Sequence, residues 1–163
     1  MGKNPTDRGK MGTKKSLVVE GGGGPLGAVI AGANVLERRM LRATIEAIVV
    51  ERPEPTAEQP QHMSLDGGYQ NPTGREAATE AKYIPHIHSS KEVVPPGERK
   101  PGYKPRRWVV ERTLAWLSKC RGILVRYDKK DTNYLGLIQF ACALYWYRRL
   151  DSLGQCDASQ SPT

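Results

Sequence analysis

Two acidic residues of this chain occupy positions from which carboxylates could act on a nucleic acid. The first, Glu111, belongs to the segment 105–117, in which apolar side chains recur with helical spacing. At about 100° per residue, Glu111 lies opposite the centre of the apolar arc, beside Arg107 and Ser118. An acid on a rigid helix, among phosphate-binding arginines, suits metal-dependent chemistry on nucleic acid. A solvated glutamate that pairs with Arg107 at i,i+4 is the alternative, and spacing alone favours it.

The second acid, Asp66, ends a predicted strand, and two glycines after it leave space around the side chain. Ligands of open α/β sheets bind beyond the carboxyl ends of strands. A turn aspartate that binds its own backbone explains Asp66 equally well when it is taken alone. Together with Glu111, however, it offers the oxygen ligands that Mg²⁺ prefers. A two-metal site needs a third carboxylate, and the only upstream aspartate, Asp7, lies in a segment without periodicity.

The composition of the chain indicates a polyanionic partner. Its 163 residues carry 25 Lys and Arg against 17 Asp and Glu, a formal net charge of +8. Such a charge favours binding to nucleic acid through neutralised phosphates. The basic residues are spread along the chain, which fits a surface that follows a nucleic-acid backbone better than a membrane-anchoring patch. A ribosome-associated or simply soluble protein is the alternative.

Several other kinds of site and location are not indicated. No C-x-x-C pair is present among the cysteines, and no apolar signal segment opens the chain. The apolar run 134–147 is too short to span a bilayer and fits a buried helix. His86 and His88 alternate on a predicted strand without a third close ligand, so with His62 they are expected to be surface histidines rather than a zinc site. We expect a cytoplasmic protein with no membrane partner.

The periodicity of the chain predicts alternating strands and helices. Their order is strand, strand, helix, strand, helix, strand, helix, helix, at about 16–20, 25–31, 36–50, 62–69, 74–82, 83–87, 106–122 and 132–150. Four glycines between the first two strands predict an antiparallel hairpin with a mobile tip. No G-K-[ST] follows these glycines, which excludes a phosphate-binding loop. The pattern predicts an α/β fold with a mixed sheet, and a first strand is expected to be missing.

The same patterns divide the chain into three parts. Residues 1–13 are expected to form an irregular basic arm, and residues 14–150 the α/β unit. Within that unit, prolines and glycines at 89–105 predict a long flexible connection. The polar end, 151–163, is expected to be disordered.

Ordered landmarks in the chain resemble those of bacterial insertion-sequence transposases with a DDE catalytic domain of ribonuclease-H-like fold. These landmarks are GKNPTDRGK at 2–10, AGAN at 31–34, LDGGY at 65–69 and RWVVERT at 107–113, with a closing helix that contains YWYRR at 145–149. Each motif alone is weak, whereas the ordered set is specific. The resemblance implies a ribonuclease-H-like mixed sheet flanked by helices.

The resemblance also implies cutting and joining of DNA. Metal-activated water hydrolyses a phosphodiester at the transposon end, and the freed 3′ hydroxyl attacks target DNA. Asp66 would be the second catalytic aspartate and Glu111 the catalytic glutamate, both as ligands of Mg²⁺ or Mn²⁺, with Tyr69 supporting the end of the sheet. Self-association is left open. Double-stranded DNA, at the transposon ends and in the target, is expected to contact four basic residues: Arg107, Arg112, Lys10 and Lys14.

Departures from the family pattern predict an incomplete active site. The family's first aspartate lies on a strand before the segment at 4–10, and this chain begins after it. Leu36 and Glu37 replace a usual His-Asp pair, Gly67 replaces a basic residue, and a later basic cluster is reduced to His86, His88 and Lys91. We therefore expect a truncated or decayed transposase that is inactive alone, or the second reading frame of an element whose first frame supplies the missing strand. A catalytically inactive DNA-binding remnant is the alternative, and an RNA- or ribosome-associated domain is a third.

Overall fold

Residues 1–88 and 107–158 are described by a computed structural model of the chain. The predicted connection at 89–105 and the last five residues lie outside these ranges. In order, the elements are β1 (Gly2–Lys3), β2 (Met11–Val19), β3 (Pro25–Gly32), α1 (Glu37–Glu46), β4 (His62–Asp66), a 3-10 turn (Gly67–Tyr69), α2 (Pro72–Glu80), β5 (Ile84–His88), α3 (Arg107–Leu117), α4 (Arg121–Leu124) and α5 (Asp131–Ala158).

The chain opens on two antiparallel hairpins that share β2. β2 pairs with β3 from Thr13 opposite Gly32 to Val19 opposite Pro25, which confirms the predicted glycine-turn hairpin. β1 pairs with the beginning of β2, with Gly2 opposite Gly12. The expectation of an irregular arm at 1–13 is therefore wrong. The turn between β1 and β2 is closed by backbone hydrogen bonds, among them one of 2.8 Å from the nitrogen of Asn4 to Lys10.

β4 and β5 form a separate two-stranded parallel sheet, in register from His62 opposite Ile84 to Asp66 opposite His88. Within the described ranges, no ladder joins this pair to β2, so the strands divide into a three-stranded and a two-stranded sheet. Antiparallel and parallel pairing thus coexist, and helices flank both sheets. The expected mixed α/β fold class is confirmed, and its small sheets are consistent with a ribonuclease-H-like DDE domain.

The two faces of β2 contact different apolar clusters. Leu17 packs against buried residues of the helices α3, α4 and α5, among them Leu117 and Ile138. The next residue, Val18, packs against a cluster under α1 and α2. Since successive side chains of a strand point to opposite faces, α3 and α5 lie on one face of β2 and α1 on the other. Met63 of β4 belongs to the cluster that Val18 contacts.

Several element boundaries differ from the predicted ones. α1 ends at Glu46, since the chain after it turns back to β3, where the nitrogen of Val49 donates to Leu26. The helix predicted at 106–122 is interrupted after Leu117, and the short α4 that follows buries Ile123 completely. α5 continues to Ala158. The disorder expected at 151–163 is therefore wrong for residues 151–158, which are helical.

Candidate functional site

Asp66 is the last residue of β4 and is half-buried. Met63 and Leu65 pack into the cluster under α1 and α2, so the alternation of the strand directs Asp66 to the opposite face. Tyr69, three residues later, packs against the same cluster as Met63, as expected for support of the sheet end. Burial raises the pKa of Tyr69 to about 12, and the charges of Glu37 and Asp66 add to this effect.

Glu111 lies on α3, and its side chain is exposed. α3 packs against both β2 and β4, and its Leu117 belongs to the cluster on the Leu17 face of β2. That face is opposite the one that carries Met63, and it is therefore the side of the molecule to which Asp66 points. The elements that carry the two predicted acids are thus neighbours. Each of the two carboxylates also interacts with other groups of the protein.

Asp66 and Glu111 fit part of the ligand set of a divalent metal ion. Carboxylate oxygens are the donors that Mg²⁺ and Mn²⁺ prefer. In residues 1–88 and 107–158, however, no three His, Cys, Asp or Glu side chains lie close enough together to hold one ion. Asp7, the only upstream aspartate, is half-exposed and lies 3.5 Å from Lys10 in the turn before β2. The ligand set is therefore incomplete in this part of the chain.

The two arginines predicted beside Glu111 both lie on α3. Arg107 is the first residue of α3. The Arg112 side chain donates from Nη2 to the carbonyl oxygen of Gly22 at 2.5 Å, and its guanidinium lies 4.9 Å from the centre of the Trp108 ring. Arg112 is exposed but is tied to the turn between β2 and β3. It therefore has a structural contact in addition to its predicted role toward DNA.

The second half of the turn between β2 and β3 is buried and hydrogen-bonded to α3, where the sequence predicted a mobile tip. Gly23 and Gly24 are buried, and Gly23 has a φ of +97°. A Cβ on Gly24 would lie 2.1 Å from the Trp146 ring, which shows how closely α5 approaches the turn. The buried hydroxyl of Thr113 donates to the Gly23 carbonyl at 2.6 Å. Four glycines here allow close approach of α3 and α5 rather than motion.

Glu20, the residue directly before the four glycines, binds the backbone of this turn through its carboxylate. The carboxylate accepts backbone N–H bonds from Gly22 at 2.5 Å and Gly24 at 2.8 Å, and a bond from Arg149 at 2.7 Å. Sequence reasoning missed this arrangement. An acid directly before a run of glycines was the available signal, because a carboxylate can accept several N–H groups that lack other partners.

Lys10 and Lys14 lie near one another in sequence, on the turn before β2 and on β2 itself. Lys10 is largely exposed beside Asp7, and the nitrogen of Lys14 lies 3.7 Å from Glu37. Exposed ion pairs of this kind contribute at most about 1 kcal/mol. A phosphate could therefore displace either carboxylate at small cost.

His62 and His86 are neighbours across the parallel sheet, on the strand face that carries Asp66. Their Nδ1 and Nε2 atoms are 2.8 Å apart, and both rings are accessible to solvent. Sequence reasoning expected surface histidines and missed that these two meet. The parallel register of β4 and β5, which pairs Ser64 with His86, brings them together.

The basic charge and the two acids on adjoining elements define a candidate nucleic-acid-processing domain, and comparison with known proteins agrees. Residues 2–146 match the family model of the transposase DDE domain. A protein of Burkholderia cepacia, described as a putative transposase for insertion sequence element IS402, is 31% identical over 151 residues, which cover 91% of this chain and 69% of the relative. No solved structure matches the chain.

The chain therefore belongs to the transposase DDE domain family, and its function class is DNA transposition at insertion sequences. Proteins of this family bind DNA and use divalent metal ions. Within the ranges that the structure describes, none of the helices is long and apolar enough to cross a bilayer.

Proposed function

We propose that this chain binds double-stranded DNA of an insertion sequence and contributes two of the carboxylates that cut and join its phosphodiesters. The packing of α3 against β4, on the face to which Asp66 points, is the observation that carries this proposal. Asp66 and Glu111 are the catalytic residues and the metal ligands. We also propose that the protein acts in the cytoplasm, because its DNA substrate lies there.

The roles of the two acids follow from their surroundings. Asp66 is the half-buried last residue of β4, so the strand and the 3-10 turn after it fix its position. Glu111 projects from a helix whose position is fixed by Thr113 and Leu117. Mg²⁺ suits these donors, and Mn²⁺ is accepted by the same ligands. When bound, the metal would activate water and stabilise charge on the phosphodiester.

A third carboxylate is needed, and we propose that an additional strand between β2 and β4 supplies it. β1 covers only Met11 and Gly12 on the outer edge of β2, and β4 pairs only with β5 among the described strands. α3 contacts both β2 and β4. An added strand would pair with the two edges that no described strand covers along most of their length, and would lie under α3.

DNA would contact Arg107 and Arg112 of α3 on the side of the two acids, and Lys10 and Lys14 in the turn before β2 and on the α1 face of β2. The two lysines have only exposed, weak ion pairs, which a phosphate can replace. Arg112 presents an exposed guanidinium whose remaining donors can bind a phosphate while Nη2 stays on Gly22. Together these contacts position the backbone of DNA without reading its sequence.

A catalytically inactive DNA-binding remnant is the second candidate function. It is favoured by the incomplete carboxylate set in residues 1–88 and 107–158. Such a remnant would bind transposon ends and compete with an intact transposase. The two candidates differ in whether an added acid-bearing strand restores cleavage.

The test measures binding and cleavage separately on a fluorescent duplex that contains the ends of the insertion sequence. We expect the 163-residue chain to bind this duplex in a salt-sensitive manner and to produce no nicks with Mg²⁺ or Mn²⁺. Extension of the chain by the acid-bearing strand of an intact relative is expected to produce nicking. Nicking by the chain alone would contradict the incomplete site, and no nicking by the extended protein would favour the inactive remnant.

In the extended protein, Glu111→Gln is expected to abolish cleavage, because an amide is a poor metal ligand. DNA binding should change by less than about 1 kcal/mol, the usual scale of one exposed charge. Glu76→Gln, at an exposed position of α2, is the matched control and should leave cleavage intact. Loss of binding and cleavage together would instead make Glu111 a structural residue.

A further inference from the structure

The long helix α5 is apolar on two opposite faces. One face is buried in the core, where Tyr134, Ile138 and Ala141 are at most 5% exposed. On the other face, Phe140 is 65% and Tyr147 is 70% exposed. A helix that is apolar all round is normally buried on every side. Among the residues that the structure describes, nothing covers this face of α5, although its sequence predicts burial.

The charge pattern of α5 agrees with burial of both faces. No charged residue occurs between Asp131 and Arg148, although 26% of all residues in the chain are charged. The solvent-facing positions of this stretch include Gln139 and Ala143 beside the aromatic residues. Surface helices of single domains normally carry charged or polar residues on this side.

The spacing of the exposed residues is that of a helix–helix contact. Steps of four and three residues alternate along the positions of the exposed seam, which is defined here as Gly136, Phe140, Ala143, Tyr147 and Leu150. This alternation is the a/d repeat of packed helices. Small residues alternate with larger ones along the first part of the seam. A Cβ on Gly136 would have no described atom within 4 Å, so its position is an open notch on the surface.

We propose that the exposed seam of α5 binds the exposed seam of a second copy of this chain in a two-fold symmetric dimer. If Ala143 lies at the axis and the helices are antiparallel, Phe140 of one chain lies opposite Tyr147 of the other. Leu150 then fills the notch at Gly136. The seam is therefore complementary to itself, as an isologous interface requires. The antiparallel arrangement also aligns the helix dipoles favourably.

The distribution of charge favours a second copy of the chain as the partner of the exposed seam. Two copies with a charge of +8 each repel one another over most of their surfaces. The uncharged stretch of α5 allows contact without desolvating a charge or placing like charges together. A membrane surface would instead be expected to require basic residues along the edge of the apolar face.

The size of the seam is sufficient for a reversible dimer. Aromatic side chains bury about 150–250 Å² each, so two of them and two leucines, partly exposed, provide on the order of 400–500 Å² per chain. Leu150 of the seam is 62% exposed, and Leu144, which lies beside the seam on α5, is 37% exposed. Two chains would bury about 800–1,000 Å², which is below the roughly 1,200–2,000 Å² of stable complexes and within the range of weak, transient ones. Interfaces of this size form weak, reversible complexes, and we take a dissociation constant on the order of 10 μM as the expected result.

The test is analytical ultracentrifugation of the 163-residue chain across a concentration series, without DNA. The wild-type chain is expected to change from monomer to dimer as concentration rises. Tyr147→Glu places a charge in the seam and should raise the dissociation constant at least about tenfold. Tyr127→Glu is the matched control, because Tyr127 is 71% exposed and lies outside the seam. It should leave the dimer unchanged.

Circular dichroism spectra of both variants establish that they fold, and Phe140→Glu provides a second substitution in the seam. In a Cys156→Ser background, Ala143→Cys is expected to form a disulfide-linked dimer on mild oxidation, whereas the background alone does not. A wild-type chain that stays monomeric at about 100 μM would overturn the proposal, since most of it should be dimeric there. Equal effects of Tyr147→Glu and Tyr127→Glu would also overturn it. Because no DNA is present, these outcomes are independent of the proposed function.

Discussion

Glu20 has a role that depends on its ionised form. Burial by itself raises the pKa of the Glu20 carboxyl group. The N–H groups of Gly22 and Gly24 and the guanidinium of Arg149 oppose this effect, and together they leave the pKa below its ordinary value. The charged carboxylate is thus the form that holds the turn between β2 and β3. Protonation would weaken three hydrogen bonds at once.

The folded-state pKa of Glu20 is lower than the unfolded-state value near 4.5. Its contribution to stability is therefore present above that pH and is lost as the pH falls through the folded-state value. Glu20→Gln should lower the free energy of unfolding by about 1–2 kcal/mol at neutral pH, and by less in acid. Urea denaturation at about pH 7 and about pH 3 measures the difference.

Glu58→Gln, at an exposed position, is the control for this measurement and should have little effect at either pH. An equal loss of stability in neutral and acidic solution would indicate that Glu20 does not act through its charge.

At the scale of elements, the β2–β3 turn acts as a joint between strands and helices. Arg112 and Thr113 bind its carbonyl groups from α3, and Trp146 on α5 donates to the Pro25 carbonyl at 2.7 Å. This contact fixes the rotation of α3 about its own axis. The direction in which Glu111 points therefore depends on a turn that lies far from it in sequence.

Gly23→Ala should disturb this joint. The φ of +97° at Gly23 is unfavourable for a residue with a Cβ, and that atom would lie 2.7 Å from Arg112 Nη2. We expect the free energy of unfolding to fall by about 1–3 kcal/mol. Thermal or urea denaturation provides the measurement. Gly68→Ala, where the added Cβ would have no described neighbour within 4 Å, is the control. Equal stability of the two variants would show that the turn is more adaptable than its contacts indicate.

At the scale of the whole molecule, helices rather than strand pairing hold the described parts of the two sheets together. Val18 of β2 and Met63 of β4 meet in the cluster under α1 and α2, while α3 contacts both strands from the opposite face. The edges of β2 and β4 that no described strand pairs with lie between these layers. This arrangement supports the proposal that another strand completes both the sheet and the acidic site.

The overall charge predicts a strong salt dependence of DNA binding. Replacing Lys10 and Lys14 by Gln should make the slope of log K against log salt concentration shallower by about 2, if both contact phosphates. Fluorescence anisotropy over a salt series measures this slope. Arg42 and Lys82, which pair with Glu80 and Glu54, give a control with the same loss of charge when both are replaced by Gln. Equal slopes for the two double variants would show that bulk charge, not this surface, binds DNA.

The sequence alone determined the order of most elements and the position of Asp66 at the end of a strand. These features follow from local periodicity, because a strand or helix with one buried face repeats its apolar residues at a fixed interval. It also determined the family, since four short motifs in order are specific although each is weak. The placement of Glu111 opposite an apolar arc has the same local origin.

Only the tertiary structure decided which surfaces are covered by segments that are distant in the chain. The glycine turn resembled a mobile tip in sequence, yet Thr113 and Trp146 bury it. Likewise, apolar residues around α5 predicted a buried helix, but the described part of the chain provides neighbours for one face. Periodicity specifies that a face must be covered and leaves its covering element undefined, because that choice is made by contacts between distant segments.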